Sequence, residues 1–120
     1  MTSVLLVDDD PRMQVLGRKV LERHGYRVVV AADGIEAAAA AALERFDVVL
    51  MDLEMPRVNG HEAMRLLKAR QPTLPVVAVT AYAMAGDSER CRAEGFDDYI
   101  SKPYEITQLR SLVARLAGDR

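Results

Sequence analysis

The chain has 120 residues, of which 50% are apolar and 28% charged, with a formal net charge of −2. That size suits one hydrophobic core and that composition is globular; the slight acidic balance excludes the basic excess of a nucleic-acid-binding module, and no run approaches the roughly 20 apolar residues of a membrane span. A lone cysteine, Cys91, leaves no internal disulfide, and the start Met1-Thr2-Ser3 has neither a basic region nor a cleavage site, so the expectation is a cytoplasmic protein with residues 1–120 forming one domain and no output domain.

Val4-Leu5-Leu6-Val7 is a short apolar run, predicted as a strand and ended by Asp8-Asp9-Asp10-Pro11. Asp10 has the chemistry of an N-cap, with Pro11 at the first helical position, and that cap needs neither Asp8 nor Asp9. The helix that follows carries Met13, Leu16, Val20 and Leu21 and closes at Gly25. Arg27 to Ala32 is a valine-rich strand, and Asp33-Gly34 turns into an alanine-rich helix from Glu36 to Arg45. Val48 to Met51 is apolar without interruption, the signature of a strand buried on both faces. It delivers Asp52 to its end; Glu54, Pro56 and Gly60 then mark a loop. A helix from Gly60 to Arg70 has Ala63, Leu66 and Leu67 on its expected inner face. After Pro72 and Pro75, Val76 to Thr80 forms a fourth strand. Ala85 to Glu94 is a weaker helix, short of large apolar residues. Asp97 to Ser101 is a fifth strand followed by Lys102-Pro103, and Glu105 to Leu116 is a helix with the stripe Ile106, Leu109, Leu112, Val113 and Leu116.

Strands alternating with helices at short spacing define an α/β fold: a doubly wound five-stranded parallel sheet with five helices, in the flavodoxin-like order 2-1-3-4-5. That order sets Asp8 and Asp9 beside Asp52 at one strand edge, with Thr80 and Lys102 arriving from strands four and five. Three carboxylates together repel and raise one another's pKa unless positive charge sits among them. Mg²⁺, a hard cation that takes carboxylates, phosphate oxygens and water, suits that gap. Lys102 adds a fixed positive charge and Thr80 a hydroxyl donor. The set describes phosphoryl transfer to a carboxylate nucleophile, with Asp52 as the acceptor.

Val7-Asp8-Asp9-Asp10, Met51-Asp52-Leu53-Glu54-Met55-Pro56, Val79-Thr80-Ala81 and Ser101-Lys102-Pro103 resemble the receiver domain of two-component response regulators. The resemblance spans essentially the whole chain, in four separated motifs. It implies that Asp52 is phosphorylated, that Asp9 and Asp52 bind Mg²⁺ directly, that Asp8 acts through water, and that the backbone carbonyl of Glu54 completes the protein ligands. Lys102 would contact the phosphoryl group, Thr80 would swing towards it, and Tyr99 would turn inward as the switch aromatic. Lys102-Pro103 matches a cis peptide of the family. The implied partners are a sensor histidine kinase or a histidine phosphotransfer protein, with an unknown downstream effector, no nucleic acid and no membrane. The surface of the fourth helix, fifth strand and fifth helix is the one that would change, and a homodimer through it is compatible with the family. Such a domain is not an enzyme in the ordinary sense; it catalyses its own phosphorylation and dephosphorylation. The stretch from Thr80 to Asp87, with Gly95 to Tyr99, is similar to receivers of hybrid histidine kinases and phosphorelays. Tyr104 departs from the apolar residue usual there. Glu54 and Tyr82 occupy positions that tune phosphoryl lifetime, with no direction derivable for Glu54.

Competing readings attach to the same residues. Tyr99 fits a core-edge aromatic as well as a switch, His24 and His61 fit surface positions, and Cys91 fits an inert small side chain. An aspartyl-phosphate phosphohydrolase would use the same acceptor, with Glu54 as the second acid. A flavin-binding module shares the topology but needs a phosphate-cradling loop where Asp8-Asp9-Asp10 stands.

Overall fold

Helices cover both faces of the sheet, so its inner strands have no polar side, and this is why Val4–Val7, Val48–Met51 and Val76–Val79 are all buried. The computed structural model describes residues 2–55, 60–80, 87–102 and 105–118. The expectations for Pro56, Tyr82, Pro103 with its cis peptide, Tyr104 and the first turn at Ala85 fall outside them. The elements in chain order are β1 (Ser3–Val7), α1 (Pro11–Arg23), β2 (Arg27–Ala31), α2 (Gly34–Leu43), β3 (Val48–Asp52), α3 (Gly60–Arg70), β4 (Val76–Thr80), α4 (Asp87–Glu94), β5 (Asp98–Ser101) and α5 (Ile106–Ala117).

The five strands pair in the order β2-β1-β3-β4-β5, all parallel, as expected. Alternate residues of each strand feed two separate cores. Leu5, Val7, Val49, Met51 and Ala78 face a layer that includes Ala63, Met64 and Leu67 of α3, with Cys91 and Phe96. Val4, Leu6, Leu50, Val77, Val79 and Ile100 face Val20 and Leu21 of α1 and Leu109, Leu112 and Val113 of α5. Each of the valine, leucine, isoleucine, phenylalanine and methionine side chains among them contributes about 1.5–3 kcal/mol as an upper figure, and the alanines less.

Two helix phases differ from expectation. In α3 the inward positions are Gly60, Ala63, Met64 and Leu67, while Leu66 is 54% exposed. The i, i+3, i+4, i+7 set runs through the methionine, and Leu66 falls on its far side. In α1 the buried residues are Gly17, Val20 and Leu21, which leaves Leu16 at the margin. Ile106, at the first turn of α5, lies largely in solvent. Helix α2 stops at Leu43, because Glu44 turns extended and pairs with Arg27 of β2. Strand β5 begins at Asp98 because Asp97 is a brace instead: its carboxylate accepts from the Val76 amide at 2.8 Å and from Lys68 at 2.5 Å. Gly25 has a positive φ of 88° beyond α1, the left-handed position where glycine avoids the Cβ penalty.

Candidate functional site

Three consecutive aspartates leave β1 with three different environments. Asp8 is fully buried; its amide donates to Ala31 at 3.0 Å, and its Oδ1 accepts from the Asp10 amide at 2.9 Å. The Gln14 side chain donates to the Asp8 carbonyl at 2.6 Å, securing the turn from the far side. Asp9 is exposed. Asp10 is the α1 N-cap, accepting from the Arg12 amide at 2.9 Å, as its place before Pro11 indicates.

Across the β1–β3 pairing, where Val7 is level with Met51, Asp52 ends β3 and is also buried. Its Oδ1 accepts from the Glu54 amide at 3.0 Å. Gly60 stands so close to the end of β3 that a Cβ on it would lie 2.5 Å from the Asp52 carbonyl oxygen and 2.9 Å from the Leu53 Cα. Glycine is therefore what lets α3 start against the end of β3. The sequence marks Gly60 as loop punctuation and as the start of a helix, and neither reading shows its close approach to the end of β3.

From the far edge, the Lys102 Nζ stands 3.1 Å from Asp8 Oδ2 and 3.1 Å from Asp52 Oδ2. The Lys102 amide donates to the Thr80 carbonyl at 2.8 Å, which fixes the lysine to the end of β4. Ligand oxygens of Asp8, Asp9 and Asp52 lie within 4.8 Å of one another. Both Oδ2 atoms are buried, and the Lys102 ammonium is the positive group within reach of each of them among the described residues. Two buried carboxylate oxygens facing a third carboxylate are the hard donor set that a divalent cation takes.

Burial pushes the Asp52 carboxyl up to about 7; the Glu54 amide opposes that, Asp8 adds to it, and Lys102 opposes it. Burial thus comes before the mutual repulsion of the acids as the cause. The same desolvation would lower the Lys102 ammonium, but Asp52 and Asp8 outweigh it and hold the group above the ordinary lysine value. The lysine stays charged while its partner is reluctant to be, the condition of a carboxylate pair short of positive charge.

Thr80 is buried at the end of β4, and its Oγ1 donates to Glu54 Oε1 at 2.5 Å. The Glu54 side chain, which the motif left without an assigned direction, therefore engages the threonine. Tyr99 is half-buried in β5, packed against the core that contains Met64 and Phe96, a position compatible with either reading of it. His61 is more than a surface residue: its Nε2 lies 2.8 Å from Glu94 Oε2, and its ring meets Phe96 edge-on at 5.5 Å. His24 is exposed and caps the end of α1, accepting from Arg110 at 3.3 Å. Cys91 is buried as a small core residue.

With this geometry in place, the comparisons with known proteins are specific. The family model of the response regulator receiver domain matches residues 4–114. The sensor protein GacS of Pseudomonas syringae is 39% identical over 96% of this chain, which spans 13% of that protein's length. The polar-differentiation response regulator DivK of Brucella anthropi is 38% identical over 98% of this chain and 97% of its own. Among solved structures, the receiver domain of the sensor histidine kinase PA1611 from Pseudomonas aeruginosa, with a magnesium ion coordinated in its active site cleft, superposes with a TM-score of 0.88 at 37% identity, covering 98% of each chain. The chemotaxis protein CheY4 of Vibrio cholerae gives a TM-score of 0.89 at 30% identity over 97% of this chain and 98% of its own. The chain belongs to the response regulator receiver domain family. No helix among the described residues is long and apolar enough to cross a membrane.

Proposed function

We propose that residues 1–120 form one receiver domain, a cytoplasmic switch whose Asp52 takes a phosphoryl group from the phosphohistidine of a sensor histidine kinase or a histidine phosphotransfer protein. The observation that carries this is the Lys102 ammonium held 3.1 Å from both Asp8 and Asp52. It is a fixed cation at the place where a transferring group's oxygens would arrive. Asp9 and Asp52 directly, Asp8 through water, and the Glu54 backbone carbonyl would hold Mg²⁺, the ion named for the similar receiver domain of PA1611, whose charge offsets the acids and the phosphoryl oxygens. An Asp52 oxygen attacks phosphorus, the bond from phosphorus to the donor nitrogen breaks, and the imidazole leaves with the electron pair and takes a proton. Lys102 neutralises the moving oxygens. The domain thereby catalyses its own loading, and its own discharge by water.

The phosphoryl group adds about −1.5 to −2 of charge and draws the Thr80 hydroxyl. Tyr99 turns inward behind it, and the face built from α4, β5 and α5 changes. That face meets the next partner, a second copy of the chain included. Some of the active form exists before phosphorylation, since the change is a population shift. The alternatives fit less well. Glu54 engages Thr80 and is not poised as a hydrolase's second acid, and buried Asp8 beside Asp52 would repel a flavin phosphate.

Incubation with acetyl phosphate and Mg²⁺, followed by intact mass, tests the reading. The parent gains one phosphoryl group and Asp52→Asn gains none; equal labelling of the variant overturns it.

A further inference from the structure

We infer that the Glu54 side chain holds the Thr80 hydroxyl in the unphosphorylated domain, so that loading Asp52 and detaching Glu54 from Thr80 are one coupled event. This rests on Asp52 being the acceptor and goes beyond it by naming what the threonine must leave. Glu54 touches both partners of the switch. Its amide donates to Asp52 Oδ1 at 3.0 Å, while its Oε1 accepts from Thr80 Oγ1 at 2.5 Å. Thr80 is buried and Glu54 is exposed, so water can take the threonine's place at the glutamate when the hydroxyl turns away.

A threonine hydroxyl has a single proton to donate. While Glu54 accepts it, a phosphoryl oxygen cannot. The two acceptors are also both anions, and a dianionic group on Asp52 would face the glutamate carboxylate across the short loop, where like charges repel. The bond from Thr80 to Glu54 therefore belongs to the unloaded state alone. A contact made in only one of two states biases the equilibrium towards that state. Glu54 is thus a brake on loading, with a sign that its place in the motif does not supply. It acts as a positioning residue, through Thr80; its backbone carbonyl, the part assigned to metal binding, survives any substitution of the side chain.

The test is a double-mutant cycle on binding of beryllofluoride, a phosphoryl mimic, to the full chain in Mg²⁺, followed by NMR titration. Glu54→Ala tightens binding roughly three- to tenfold, the range expected when a charge-assisted hydrogen bond partly open to solvent is removed. Glu54→Gln, a neutral acceptor of the same length, gives a smaller gain. In a Thr80→Val background the effect of Glu54→Ala falls below about twofold, the remainder from charge alone; in Thr80→Ser, which keeps the hydroxyl, it persists. Equal tightening with and without the hydroxyl, or no tightening by Glu54→Ala, overturns the coupling. If the parent binds no beryllofluoride, or binds it as well after Asp52→Asn, the acceptor reading itself fails and takes the coupling with it. A parent that binds through Asp52 with an additive cycle sinks the coupling alone.

Discussion

Helices α4 and α5 pack on opposite faces of the sheet beside β5, and they are held by different forces. Helix α5 buries Leu109, Leu112 and Val113. Its N-cap Glu105 accepts from the Thr107 and Gln108 amides at 3.1 and 2.8 Å, and it ends on Gly118 in the left-handed conformation. Helix α4, with the sequence Asp-Ser-Glu-Arg-Cys-Arg-Ala-Glu, places Cys91 in the core among its described residues. Polar contacts at its surface add to this: Glu94 meets His61 of α3, and Arg92 pairs with Asp98 of β5. Burial of an apolar stripe anchors a helix over a broad area, whereas each half-exposed ion pair is worth about 0–1 kcal/mol and can be exchanged for water. The same strand is therefore flanked by one anchored helix and one that can shift at low cost, which suits a face that responds to events at Asp52.

The largest expected effect lies on the anchored side. Leu109→Ala should cost about 2–5 kcal/mol in denaturant unfolding, whereas Cys91→Ala should cost on the order of 1 kcal/mol; equal losses would erase the contrast. Asp98 comes next, because it joins the two helices. Its carboxylate pairs with Arg92 of α4 at 3.2 Å and with Arg115 of α5, and it accepts from the Tyr99 amide. Burial alone would raise this carboxyl, but the Arg115 bond, the Tyr99 amide and Arg92 outweigh it and hold the group below the usual carboxylate range. Asp98→Asn should cost about 1–2 kcal/mol at neutral pH, discounted for the exposed guanidiniums. A depressed folded-state pKa means that the stabilisation is complete above the unfolded value of about 4 and disappears as pH falls through the folded one. The difference between parent and variant should therefore shrink below about pH 4, and a constant difference would show that charge is not its source. The smallest effect belongs to His61→Ala, under about 1 kcal/mol globally. Hydrogen exchange should show faster opening of the α4 amides with those of α5 unmoved; a uniform change would deny that this pair is a local tie.

Much of this arrangement was legible from the residues. Unbroken apolar runs in β1, β3 and β4 report burial on both faces, and they place Asp8, Asp52, Thr80 and Lys102 at one edge once the strand order is drawn. What escaped was phase and distance. Leu66 and Met64 both fit a helical stripe, and only packing against the sheet selects the methionine. The bond from Thr80 to Glu54, the tie from His61 to Glu94 and the pairing of Asp98 with two helices join residues remote in the chain, for which no spacing rule exists. Gly60 reads as a loop marker until the Asp52 carbonyl is found where its Cβ would be. Repulsion among the acids is visible in the sequence, but the larger effect of burial on Asp52 needs the fold.

The site of phosphorylation can be read directly by reducing the loaded protein with borohydride, which converts an aspartyl phosphate to homoserine, and mapping the peptides. The account predicts homoserine at position 52 alone, and only when Mg²⁺ was present during loading. Homoserine at position 8 or 9, or labelling at 52 that is indifferent to the ion, would contradict it.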